Sequence, residues 1–101
     1  MTMLEISGRL ASCRQTIDNI DAALVYILAE RFRCTDEVGL LKAVHGLPPI
    51  DNEREERQFA RLRDLAEDAK IDQEIIINLT KAIIKEVVQR HHKIAAEHQA
   101  G

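Results

Sequence analysis

Apolar residues recur through the first part of the chain with spacings of three and four in strict alternation: Leu10, Cys13, Ile17, Ile20, Leu24 and Ile27, then Arg31, Cys34, Val38 and Leu41. This is the a/d pattern of a helix packed along one seam, and it predicts one helix over roughly residues 5–45. At about 1.5 Å per residue that helix would run on the order of 60 Å, whereas a compact domain of this length has a radius of gyration of about 13 Å. The helix is expected to overrun its own fold and to find apolar cover on another chain.

The pattern breaks at His45-Gly46-Leu47-Pro48-Pro49-Ile50, where a glycine ends the helix and two prolines prevent its resumption. A second start follows at Asp51-Asn52-Glu53-Arg54-Glu55, with Asn52 and Glu55 at capping-box spacing. Phe59, Leu62, Leu65 or Ala66, and Ala69 then mark a short, heavily charged helix to about residue 69. Asp72 is a good N-cap for a third helix, whose stripe is Ile76, Leu79, Ile83, Val87, His91 and Ile94. The expectation is an all-α fold of three helices, long, short and long, in one domain over residues 1–101 with its core at about 8–96.

Composition narrows the function. The chain has 101 residues, 46% hydrophobic but only 3% aromatic, and a net charge of −3. Tyr26, Phe32 and Phe59 give no stacking platform for bases, so nucleic acid is not an expected partner. No apolar run approaches the roughly 20 residues that span a bilayer, and the N-terminal residues lack a secretory signature, so a soluble, cytoplasmic protein without membrane association is expected. Cys13 and Cys34 would lie about 30 Å apart on one helix, beyond any disulfide, and read as small core residues. No Gly-rich phosphate loop, Cys-x-x-Cys or zinc-binding pattern appears, so no metal is expected.

The candidate chemistry starts from Arg31, which occupies a seam position in an otherwise apolar stripe. An unpaired buried guanidinium costs several kcal/mol, so something anionic should meet it. The plainer alternative is a salt bridge to a carboxylate such as Glu55, or a polar residue that sets the register of the seam. Lys42 returns to within about 20° of Arg31, some 16 Å along the same face, so the pair could bracket a small dianion with Val38 as its floor. Arg14 lies 17 residues before Arg31, about 25 Å on a straight helix, and could join such a site only from a second chain. The ordinary role of a lone histidine such as His91, on the apolar face of the third helix, is a hydrogen-bonded core residue.

In their order and spacing, Arg14-Gln-Thr-Ile-Asp-Asn-Ile-Asp21, Leu28-Ala-Glu-Arg31, Val38-Gly39 with Lys42, and Asp51-x-x-Arg54-Glu55 resemble the all-helical, AroQ-type chorismate mutase family over roughly residues 8–96. The resemblance implies an intertwined homodimer with two equivalent active sites, each completed by the partner's first helix. It implies conversion of chorismate to prephenate, in aromatic amino-acid biosynthesis, without a cofactor. Arg14 of the partner and Arg31 would grip the two substrate carboxylates. Lys42 would contact a carboxylate and the ether oxygen, Asp51 and Glu55 would meet the ring hydroxyl region, and Arg54 would support the pocket. On the third helix, many family members have Ser and then Gln four residues later, where this chain has Val87 and His91. Val87 can contribute shape only, and His91 would inherit the hydrogen bond to the ether oxygen, making Lys42, His91 and Arg31 the catalytic candidates. If the imidazolium were the better donor, kcat would fall as pH rises through the histidine range. Two alternatives share these features: isochorismate pyruvate lyase, from which Asp51-x-x-Arg54-Glu55 argues away, and a non-catalytic helical dimerisation module in which Glu55 neutralises Arg31.

Overall fold

The computed structural model describes residues 1–100, and every regular element among them is helical: α1 (Met3–Val44), α2 (Asn52–Ala69) and α3 (Gln73–Ala100). Two compact parts divide the chain, Met1–Arg33 and the residues from Cys34 onward, so α1 contributes to both.

The first part is helix alone. It begins two residues earlier than the hydrophobic pattern predicts because Thr2 and Glu5 cap each other. The Glu5 backbone N–H donates to Thr2 Oγ1 at 3.1 Å, and the Thr2 N–H donates to the Glu5 carboxylate at 2.9 Å. Along the seam Leu10, Cys13, Ile17, Ile20, Leu24 and Ile27 are all exposed, with Ile20 at 60% and Ile27 at 63%. Cys13 and Cys34 are exposed and neither is in a disulfide. The expectation that they are core residues does not hold within one chain, where both are exposed.

In the second part α1 ends where Gly46 adopts φ +66°, a left-handed conformation that closes the helix. The Leu47 N–H then reaches the Lys42 carbonyl at 2.8 Å and the Gly46 N–H reaches that of Ala43 at 3.3 Å. The cap of α2 is Asp51, not Asn52. Asp51 has extended backbone (φ −129°, ψ 94°), its Oδ1 accepts the Arg54 N–H at 3.1 Å, and Asn52 is already helical. At its other end α2 closes on Lys70, at φ 58° and ψ 41°, with no glycine to mark it in the sequence.

Helices α2 and α3 pack together through buried Ala66 and Ile77, the only buried apolar side chains among the described residues. Asp72 starts α3 as expected, its Oδ1 accepting the Glu74 N–H at 2.9 Å. The packed face of α3 is rotated from the predicted stripe at its start. Ile77 and Thr80 are buried while Leu79 is 47% exposed, and the two faces coincide again from half-buried Ile83 through half-buried Val87 to buried His91. Thr80 fits an apolar surface because its hydroxyl donates to the Ile76 carbonyl at 2.7 Å.

Candidate active site

The part from Cys34 onward holds seven of the nine candidate residues, and a chain of hydrogen bonds ties four of them around the connection from α1 to α2. Lys42, half-buried in the last turn of α1, donates from Nζ to the Pro49 carbonyl at 3.3 Å. This spends one of its three N–H donors on the segment that leads into Asp51. The Asp51 carboxylate then holds the Arg54 N–H, and its carbonyl accepts the Glu55 N–H at 3.1 Å. Asp51 is therefore both a capping group and a candidate ligand-binding group. The Arg54 side chain is exposed and Glu55 is half-buried.

The α1 segment that carries Val38 and Lys42 is fastened to α3 at three points. The Arg90 guanidinium donates to Asp36 from two nitrogens, with Nε at 2.7 Å from Oδ1 and Nη2 on Oδ2. These bonds hold the Asp36 carboxyl below its ordinary range, with desolvation working in the opposite direction, and they hold the Arg90 guanidinium above its own. His91 is 5% exposed, and its Nε2 lies 2.6 Å from the Thr35 carbonyl. Because a carbonyl only accepts, Nε2 carries the proton. The third point is Gly39, which is buried against the imidazole: a Cβ there would lie 2.5 Å from His91 Cδ2.

Sequence reasoning aims His91 at the ether oxygen of a substrate, whereas in the folded chain its Nε2–H is held by the Thr35 carbonyl. The partners Thr35, Asp36 and Arg90 carry no signal in the sequence, since 54 to 56 residues separate the members of each pair. Val87, one turn before His91 on α3, is half-buried.

Arg14 and Arg31 belong to the Met1–Arg33 part. On one helix their 17-residue separation places them about 25 Å apart, beyond the span of a small molecule. Arg14 is exposed. Arg31 differs: its Nη1 is buried with no hydrogen-bond partner among the described residues. A buried guanidinium N–H left in this state costs free energy that an incoming anion would recover.

Among the described residues, no group of three or more His, Cys, Asp or Glu could hold a metal ion. None of the described helices is long and apolar enough to cross a membrane.

Comparison with known proteins bears on this arrangement. The family model described as chorismate mutase type II matches residues 13–92. The chain is 32% identical over 77 residues to a chorismate mutase of Methanocaldococcus jannaschii, covering 76% of this chain and 78% of that protein. It is 34% identical over 79 residues to a T-protein of Enterobacter agglomerans and 32% identical over 77 residues to one of Haemophilus influenzae. Those matches take in 78% and 76% of this chain but only 21% and 20% of the T-proteins.

Proposed function

The chain belongs to the type II chorismate mutase family, and from that premise we propose that it rearranges chorismate to prephenate in a site shared between two copies of the chain. The observation that carries this reading is the buried, unpartnered Nη1 of Arg31 on a seam otherwise made of apolar side chains. A dicarboxylate substrate supplies the missing anion.

The proposed assembly is an intertwined homodimer of single-domain chains. Two buried apolar side chains among the described residues are a slender core for a chain of 101, and the exposed α1 seam offers the surface that a second copy would cover. Because Arg14 and Arg31 are too far apart on their helix to grip one small molecule, each site takes Arg14 from the partner. Arg31 and the partner's Arg14 then bind the two carboxylates. Asp51 and Glu55 meet the ring hydroxyl, Arg54 braces the pocket and Val87 and Val38 shape it. The absence of a disulfide between the two cysteines suits a reducing cytoplasm.

A pericyclic rearrangement needs no nucleophile and no proton transfer. What the protein must do is hold the enolpyruvyl side chain over the ring and stabilise negative charge as the ether C–O bond breaks. Lys42 is suited to stabilising that charge, because its bond to Pro49 fixes the ammonium and leaves donors for a carboxylate and the ether oxygen.

The test is incubation with chorismate and, separately, isochorismate, with assays for prephenate and salicylate. Prephenate from chorismate is expected. Salicylate alone would move the assignment to lyase. Failure to form either product, with no thermal stabilisation by a bicyclic dicarboxylate transition-state analogue, would reject a catalytic role.

A further inference from the structure

We propose that His91 is a positioning residue, one that locks the Val38–Lys42 end of α1 onto α3 instead of donating to the breaking bond; this rests on the mutase reading, with Lys42 as the donor to the ether oxygen. The Thr35 carbonyl already accepts the i+4 helical bond from Gly39, as any mid-helix carbonyl does. Its second lone pair is reachable because Gly39 has no side chain. A Cβ at Gly39 would stand 2.5 Å from His91 Cδ2 and 3.0 Å from Nε2, so the imidazole occupies the space that a larger residue would fill. The glycine and the histidine are thus one device. The glycine opens a window onto a helix carbonyl, and the histidine closes it with a hydrogen bond of 2.6 Å.

The tautomer follows from that bond. With Nε2 protonated and given to Thr35, the other nitrogen of a neutral ring is bare and has no proton to offer. Nor is the ring placed to reach outward, at 5% exposure. The adjacent Arg90–Asp36 pair adds a second tie one residue along both helices. Val38 lies between the residues so fastened, and Lys42 follows Gly39 by three positions, just under one turn. Roll or slide of this segment would carry the ammonium off its target, and displacements near 1 Å can cost about a hundredfold in rate.

The experiment combines nitrogen-15 spectra of the His91 ring in the wild-type dimer, with and without a bicyclic dicarboxylate transition-state analogue, with kinetics of His91→Ala, Gly39→Ala and the double variant. The spectra should show Nε2 protonated and Nδ1 bare in the free protein, unchanged on binding. His91→Ala should lower kcat by roughly 10- to 100-fold. Its KM should stay within about twofold of wild type and its dimer should remain intact; because a smaller folded fraction would also lower apparent kcat at unchanged KM, the rate is expressed per active site counted by titration with the analogue. Gly39→Ala should be comparably impaired alone but nearly silent in the His91→Ala background, because the clash it creates is with the ring itself. An Nε2–H resonance that shifts when the analogue binds, or a Gly39→Ala cost that is the same in both backgrounds, would overturn the proposal. Failure of the mutase reading has a separate signature: wild-type protein that neither turns over chorismate nor is stabilised by the analogue.

Discussion

Truncating Ile20 to Ala should loosen the dimer far more than it disturbs the helix that carries it. Ile20 is 60% exposed in the single chain, at the middle of the α1 seam. Fully burying an isoleucine side chain contributes about 1.5–3 kcal/mol, so about 1–2 kcal/mol remains to be gained against a partner. A two-fold symmetric interface contains the residue twice, which brings the loss to roughly 2–4 kcal/mol. At 1.4 kcal/mol per tenfold, the dimer Kd should rise by about 30- to 700-fold. Helix propensity works the other way, since alanine is the better helix former by a few tenths of a kcal/mol. Sedimentation equilibrium gives the Kd, and prephenate formation across an enzyme dilution series gives its consequence: specific activity of Ile20→Ala should fall on dilution at concentrations where wild type holds steady. An Ile20→Ala protein that sediments and dilutes like wild type would refute the assignment of this face to a second copy of the chain.

Lys42→Ala should lower kcat by about 10²–10³, the usual cost of losing a preorganised donor at a developing oxyanion, as read from steady-state kinetics with chorismate. Asp51→Ala should cost about 1 kcal/mol of stability through the lost α2 cap, whereas Asp51→Asn should keep the cap and alter only substrate binding; denaturant midpoints and KM separate the two effects. Lys70 occupies the left-handed region, so Lys70→Gly should stabilise by roughly 0.5–1 kcal/mol, the relief of strain exceeding the added flexibility of the unfolded chain, visible as a Tm raised by a few degrees. The Asp36 carboxyl is held below its ordinary value of 3.8, so its pairing with Arg90 is fully present above that value and is lost as pH falls through the lowered one. Wild type should therefore lose stability below about pH 4 by an increment missing from Asp36→Asn, measured by thermal unfolding across that window.

Local signals in the chain are decisive for the helices and fall silent at the tertiary contacts. The strict three-four spacing from Leu10 to Leu41 and the glycine at 46 mark α1 because both act within one helix. The end of α2 near residue 69 follows from its stripe, but its closure on Lys70 does not, since a left-handed lysine is held by neighbouring bonds and has no propensity of its own. The start of α3's packed face is misplaced by one position because Ile75, Ile76 and Ile77 are equally apolar, and only contact with α2 selects among them. Arg31 is legible as a polar interruption of the seam, whereas the burial of its Nη1 without a hydrogen-bond partner among the described residues emerges only in the fold. The engagement of His91 is not legible. Its acceptor is a backbone carbonyl 56 residues away, opened by a glycine whose role only the packing reveals.

The central claim, a catalytic site completed by the partner's Arg14, is tested most directly by complementation between Arg14→Ala and Arg31→Ala. Each homodimer should be nearly inactive, since both of its sites lack one carboxylate-binding guanidinium. Co-expressed, the two chains should form mixed dimers in which one site has both arginines and the other has neither. With random pairing, half of the dimers are mixed and half of their sites are intact, so prephenate formation should recover to about a quarter of the wild-type rate. Mixed dimers no more active than the two variants apart would contradict the account, because Arg14 would then act within its own chain or have no part in the site.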